Sequence, residues 1–163
     1  LGFTCAGCHG TNGASTGPAT PSIGGMSEIY MIDAMTDYKN GDRPSTIMTR
    51  IAKGYSDEEI VAMSKFFADQ PYVRANQVFD AAMAAKGKDL HEDNCSKCHD
   101  EGGTLADDDA GFLKGQWSNY IAYSFEDFHS GDRDMPKKMK KKMKKVSDNS
   151  AKMSALIEYY KSN

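Results

Sequence analysis

The chain has 163 residues, with 20 basic and 23 acidic side chains and a formal net charge of −3. Leu, Ile, Val and Phe contribute only 24 residues, about 15% of the chain, a share that indicates disorder when the net charge is high. The small net charge argues against disorder. The sequence has no run of about 18 apolar residues and therefore predicts no membrane-spanning helix. We therefore expect a folded chain whose small core is completed by disulfides, metals or a cofactor.

The first element in the chain carries a cysteine motif that recurs in the second half. Cys5-Ala6-Gly7-Cys8-His9 and Cys95-Ser96-Lys97-Cys98-His99 are both C-x-x-C-H, the attachment signature of c-type haem. Two thiols bond to the haem while the adjacent imidazole reaches the iron from the same turn. The motifs predict two covalently attached haem c groups. The predicted attachment and proximal ligands are Cys5, Cys8, His9, Cys95, Cys98 and His99.

Other uses of paired cysteines fit the sequence less well. A zinc ribbon places about 15–20 residues between its pairs, whereas 86 residues separate Cys8 from Cys95. A thioredoxin-like centre needs strands that neither half offers, and a disulfide network does not require His after both pairs. We therefore interpret the motifs as haem sites. Haem of this kind is attached in an oxidising compartment, which predicts a periplasmic protein. Because the first motif already begins at Cys5, we expect the sequence to begin after processing.

The elements after the first motif are helical in pattern. Apolar residues predict a helix around Tyr30 to Tyr38, and Ser56 with Glu59 forms a capping box ahead of the helix that closes the first half. Asp69-Gln70-Pro71-Tyr72 ends that helix, because proline cannot continue it. Residues 76–94 predict a helix leading into the second motif, and Met153 to Tyr160 predict the closing helix of the second half.

The two halves align over most of their length. At an offset of 90 residues Tyr30 falls on Tyr120, and Gly41-Asp42-Arg43 falls on Gly131-Asp132-Arg133. Such register indicates internal duplication. The fold class predicted is all-α, with two tandem class I cytochrome c-like haem domains at residues 1–72 and 73–163.

The other axial ligand of each haem is expected to be a methionine, since thioether ligation suits electron transfer. Met48 lies seven residues before Tyr55, and Met139 lies seven residues before Val146, the repeat partner of Tyr55. These two are the predicted ligands. Met135 is the alternative for the second haem, because the following proline favours an extended backbone.

Several residues have weaker roles. His91 and His129 could reach an iron, but a surface position is the more common explanation for such a histidine. Pro18 or Pro21 could accept the proton of the first proximal imidazole through a carbonyl oxygen, and the second half lacks a matching proline. Arg43 and Arg133 are candidates to pair with haem propionates, although each also fits a solvated turn.

A concentrated basic run distinguishes the second half. Seven of the nine residues 137–145 are lysine, and without them the formal charge would be −3 − 7 = −10. Such a run is usually a solvated helix face. The alternative is a patch that steers an acidic redox partner.

The motifs as a group resemble the dihaem cytochrome subunit of flavocytochrome c sulfide dehydrogenase. The resemblance covers nearly the whole chain, and its most specific part is residues 45–56. It rests on Cys5-Ala6-Gly7-Cys8-His9-Gly10-Thr11, on Gly17-Pro18-Ala19-Thr20-Pro21-Ser22-Ile23, on Ser45-Thr46-Ile47-Met48-Thr49-Arg50-Ile51-Ala52-Lys53-Gly54-Tyr55-Ser56, and on Met135-Pro136-Lys137-Lys138-Met139.

The resemblance implies a periplasmic electron-transfer subunit that is not itself an enzyme. In that family a partner subunit carrying FAD oxidises sulfide, and the cytochrome passes the electrons to a soluble cytochrome acceptor. No nucleic acid partner is expected. Two other classes stay open: a free-standing dihaem carrier of the c-four type that serves a terminal oxidase, and a dihaem enzyme such as a thiosulfate dehydrogenase or peroxidase.

Overall fold

The computed structural model describes residues 1–162, and every regular element in that range is helical. The only β-type contact there is an isolated bridge between Asp107 and Ala110. The elements are α1 (Gly2–His9), α2 (Glu28–Asn40), α3 (Met48–Ala52), α4 (Asp57–Ala68), α5 (Ala81–Asn94), a 3-10 turn (Glu101–Gly103), α6 (Ser118–Ser130), α7 (Lys137–Met143) and α8 (Ser150–Lys161).

Helix ends in the first half follow from local sequence. The Ser27 hydroxyl accepts a hydrogen bond from the Tyr30 amide at the start of α2, and Gly41 ends that helix at φ 89°, in the left-handed region. At α4 the Ser56 hydroxyl accepts from the Glu59 amide while the Glu59 carboxylate accepts from the Ser56 amide. The predicted capping box is confirmed.

The helix that leads into the second motif begins later than the pattern predicts. Asp80 caps α5 through the amide of Met83, so the helix starts at Ala81 and not at residue 76. The preceding segment has no regular secondary structure, and Val78 there is 93% exposed. The cap explains why α5 starts at Ala81, because the Asp80 carboxylate accepts from the amide of Met83, one of the free amides of the first turn.

Helices α5 and α8 cross closely in the second half. A Cβ placed on Gly87 would lie 2.0 Å from the carbonyl oxygen of Ala155, so only glycine fits at the crossing. The core cluster beside it lies wholly in the second half and consists of Ile121, Phe125, Met143, Val146, Leu156, Tyr159 and Tyr160.

The two halves share a polar and aromatic interface. The buried Gln116 amide donates to the Ser22 carbonyl at 2.9 Å and accepts from the Ser22 amide at 2.8 Å. Tyr72 stacks on Phe112 with ring centroids 3.7 Å apart. Phe112 also completes the core cluster of the first half, whose other buried members are Met26, Met31 and Phe67. The core cluster of the first half therefore includes a side chain from the second half.

Candidate functional site

The first motif opens onto a large cavity. Its volume is about 800 Å³, and mostly apolar side chains from α1, α2, α3 and α4 form its wall. Cys5, Cys8 and His9 lie on that wall together with Met48. Residues of α6, from the second half, close another side of the cavity. A cavity of this size with apolar walls and a few convergent polar groups suits a bulky, flat cofactor.

His9 is oriented by the chain segment that follows the motif. Its Nδ1 lies 2.8 Å from the carbonyl oxygen of Pro21, and because a carbonyl only accepts, Nδ1 carries the proton. The other ring nitrogen, Nε2, is then free to bind a metal. Burial lowers the pKa of His9, while the Pro21 hydrogen bond opposes that shift. Of the two prolines considered, Pro21 supplies this carbonyl.

Met48 begins α3, at the cavity wall. It is one of five methionines there, the others being Met26, Met31, Met35 and Met63. The structure thus brings His9 and Met48 to one cavity. The other four methionines present flexible apolar side chains that suit packing against a flat ring.

Arg43 is the buried charge of this site. It is 6% exposed and lines the cavity, its Nη2 donates to the Tyr120 hydroxyl at 2.8 Å, and it lies over the Tyr38 ring. Burial raises the pKa of Tyr38 to about 12, so this neighbour stays neutral. Within residues 1–162 Arg43 forms no salt bridge. A buried guanidinium without a carboxylate partner fits the propionates that haem carries.

Arg133 repeats only part of this arrangement. It stacks over Phe128 at 4.4 Å and lines the same first cavity, although it belongs to the second half. The contact of each arginine with an aromatic ring is repeated, since Phe128 lies 90 residues after Tyr38, but both arginines line one cavity.

The second motif sits on a turn. Cys95 is the C-cap of α5, and the residues that follow it continue as turn and not as helix. In both motifs the first cysteine is half-buried and the second is exposed. His99 differs from His9, because its buried Nδ1 has no hydrogen-bond partner. Burial, followed by the neighbouring His91, lowers the pKa of His99 to about 4, which favours the neutral, metal-binding form.

His91 corrects an expectation from the sequence. A surface position is the common one for a lone histidine, but His91 is fully buried and its Nδ1 lies 3.0 Å from the Tyr160 hydroxyl. Its position near the end of α5 places it against α8. The periodic pattern of α5, with Ala84 and Gly87 buried on the same helix, was the signal that could have found it. His129 is exposed, as expected.

Both candidate methionines of the second half are half-buried against the second core cluster. Met139 lies in α7, and Met143, one turn later, is buried. Ala52 holds the matching buried place in α3, at the same distance from Met48. This equivalence extends the repeat that pairs Met48 with Met139. Met135 precedes α7 and packs against the same cluster.

No helix within residues 1–162 is long and apolar enough to cross a membrane.

Comparisons with known proteins agree with this geometry. The family model described as cytochrome c matches residues 3–70 and 84–163. The cytochrome subunit of sulfide dehydrogenase from Chlorobaculum tepidum is 49% identical over 69 residues, which cover 42% of this chain and 62% of that protein. Cytochrome c4 of Pseudomonas aeruginosa is 31% identical over 139 residues, which cover 79% of this chain and 68% of that protein.

A solved structure extends the likeness to three dimensions. The crystal structure of reduced recombinant cytochrome c4 from Pseudomonas stutzeri superposes with a TM-score of 0.80 at 27% identity, covering 97% of this chain and 92% of that one. The predicted all-α fold with two tandem domains is confirmed. Two motifs on that fold mean two covalent haem c groups, attached through the cysteine pairs of both halves.

Proposed function

The chain belongs to the cytochrome c family and is a dihaem electron carrier, and from that premise we propose that it serves a sulfide dehydrogenase. In this proposal it accepts electrons from a flavoprotein subunit carrying FAD and passes them to a soluble cytochrome acceptor. The observation that carries the proposal is the 49% identity over 69 residues to the sulfide dehydrogenase cytochrome subunit, compared with 31% identity over 139 residues to cytochrome c4.

The residues have distinct roles in this function. Each haem supplies one-electron chemistry at iron when bound. We propose that His9 and Met48, which line one cavity, would hold the iron of the first haem. His99 and Met139 are assigned to the second haem, with Met135 as the alternative. With every cysteine used for attachment, sulfur chemistry is assigned to the partner and not to this chain.

The domain boundary and the compartment belong to the same proposal. Residues 1–72 and 73–163 are the two domains in this proposal, since α4 ends at Ala68 and a segment without regular secondary structure leads from Pro71 to the cap of α5. A periplasmic location follows from thioether attachment of haem on the oxidising side of a bacterial membrane.

The test is to isolate the native complex and record flavin and haem spectra while sulfide is added. The expected result is a co-purifying flavin subunit and reduction of both haems. A preparation without flavin, or haems that stay oxidised, would overturn the sulfide role. The matched control is the same preparation with thiosulfate in place of sulfide.

A second function has its own support. Three relatives that each align over 79% of this chain are named cytochrome c4, and the superposed crystal structure is also a cytochrome c4. A free-standing dihaem carrier serving a terminal oxidase is therefore the alternative. It predicts a chain that purifies without flavin and is oxidised by the oxidase directly.

A further inference from the structure

We propose that the lysine segment, residues 137–145, docks the negatively charged face of a protein redox partner beside the second haem. The segment comprises α7 and the two lysines that follow Met143. The proposal rests on the electron-carrier function and not on the identity of the electron donor.

The lysines are free to meet a partner. Six of the seven are exposed, and none forms a salt bridge within residues 1–162. Lys142 is the half-buried exception, and it donates to the backbone carbonyl of Asp93 at 2.9 Å. An anionic surface brought against the segment would therefore find its charges uncompensated.

The charge of α7 is unfavourable for the helix that carries it. Its first turn has no acidic residue and begins with Lys137 and Lys138, although a helix N-terminus favours negative charge. By contrast, α4 has three acidic residues in its first turn. Neighbouring lysines also repel each other one turn apart. The lysines therefore do not stabilise α7, and a role outside the helix is needed to explain why they are concentrated there.

The position of the segment supplies that reason. Met143 and Val146 are buried in the second core cluster and Met139 packs against it, so the lysines project from the helix that carries the proposed axial ligand. The equivalent stretch of the first half, residues 46–54, has only Arg50 and Lys53 as cations. There Ile47, 52% exposed, lines the first cavity. The basic surface is thus specific to one haem.

The surroundings favour a compact acidic protein over a long polyanion or a membrane. The lysine segment is about 13 Å long if helical throughout, and Asp132, Asp134 and Asp148 flank it. The rest of the chain carries a formal charge of −10. A local acidic patch meets the lysines alone, whereas an extended anionic surface also meets the repelling carboxylates.

The experiment compares two triple variants of the holoprotein. K138Q/K140Q/K141Q removes three exposed charges from α7, and K65Q/K86Q/K88Q removes three exposed charges elsewhere. Both haems are reduced chemically, and oxidation by plastocyanin, an acidic copper protein, is followed by stopped flow across ionic strength. We expect the wild-type rate to fall with salt, the α7 variant to be about tenfold slower at low salt with a flatter slope, and the control to stay within about twofold of wild type.

Several results would overturn the proposal. One is a wild-type rate that does not depend on salt, and another is an equal loss in both triple variants. A third is binding to phosphatidylserine vesicles that only the α7 variant loses while the plastocyanin rates coincide. Oxidation of all three proteins by uncharged benzoquinone shows that electron transfer is intact, so failure of docking is distinguished from failure of the carrier function. Because no sulfide or flavoprotein is used, the sulfide role is tested separately.

Discussion

The two halves share a motif and a fold, but they differ in how much each depends on the other. The second half has its own cluster of seven buried residues, which come from α6, α7, α8 and the turn at Val146. The first half has a buried cluster of four, and one of these, Phe112, belongs to the second half. Residues of α6 also close the first cavity. The buried cluster of the second half therefore consists of its own residues, whereas that of the first half includes a residue from across the interface.

The proximal histidines also differ in how much their position depends on the other half. His9 is held by the Pro21 carbonyl, in a segment that the second half supports through the Gln116 contact to Ser22. His99 has no partner for Nδ1, and it is positioned by the turn that follows α5. The first site is thus oriented by a hydrogen bond that depends on the interface, and the second by the helix beside it.

Loss of haem attachment is expected to give the largest difference between the two halves. Each of C5A/C8A and C95A/C98A is expected to lose one haem, read as half of the haem content per chain. C5A/C8A should also lose the tertiary structure of the first half, because the four-residue cluster cannot fold it alone, whereas C95A/C98A should keep more helix around α5 and α8. Far-UV circular dichroism checks this, and equal losses in the two variants would contradict it.

Removal of the axial methionines should affect one haem at a time. Met48→Ala and Met139→Ala are each expected to abolish one far-red thioether band and to lower one potential by a few tenths of a volt, within the roughly 0.8 V that axial ligands span. Spectroelectrochemical titration is the measurement. Met135→Ala is the matched control for the second half, and the assignment is wrong if that variant, in place of Met139→Ala, loses the band.

Gly87→Ala should unfold the second half selectively. The new Cβ would lie 2.0 Å from the Ala155 carbonyl oxygen, so α5 and α8 must separate, at a cost of about 3 kcal/mol. Urea unfolding followed at the second haem measures the effect. Gly7→Ala is the control, because its Cβ meets nothing within 4 Å and alanine favours the helix. A Gly87→Ala protein as stable as wild type would show that the close crossing of α5 and α8 does not require glycine.

Gln116→Leu should weaken the link between the halves. It leaves the buried amide and carbonyl of Ser22 without their partner, which costs about 1–3 kcal/mol. We expect the unfolding transition of the first half to move to lower urea and separate from that of the second. Gln70→Leu, which removes a bond within the first half to Phe66, should give a smaller shift and no separation. Coincident transitions in Gln116→Leu would show that the interface does not support the first half.

Much of the site was accessible from local patterns. The C-x-x-C-H motifs identified the cofactor, Ser56 and Glu59 identified a helix start, and Pro21 was one of two prolines proposed to orient His9. Each of these depends on residues close together in sequence, where spacing alone constrains geometry. The start of α5 was misplaced because apolar residues at 76–80 were assigned to a helix face, although Asp80 offers a cap.

The amino-acid sequence alone is enough to predict two haem motifs, a duplicated helical fold and a cationic segment around a candidate ligand. Only the tertiary structure decided that His91 is buried, that Arg43 and Arg133 face one cavity, and that Phe112 completes the core of the other half. These outcomes depend on contacts between residues far apart in the sequence, such as Arg43 and Tyr120, which are 77 positions apart, and spacing along the chain does not determine such contacts. Covalent motifs are local, whereas burial and interdomain contact are properties of the packed chain.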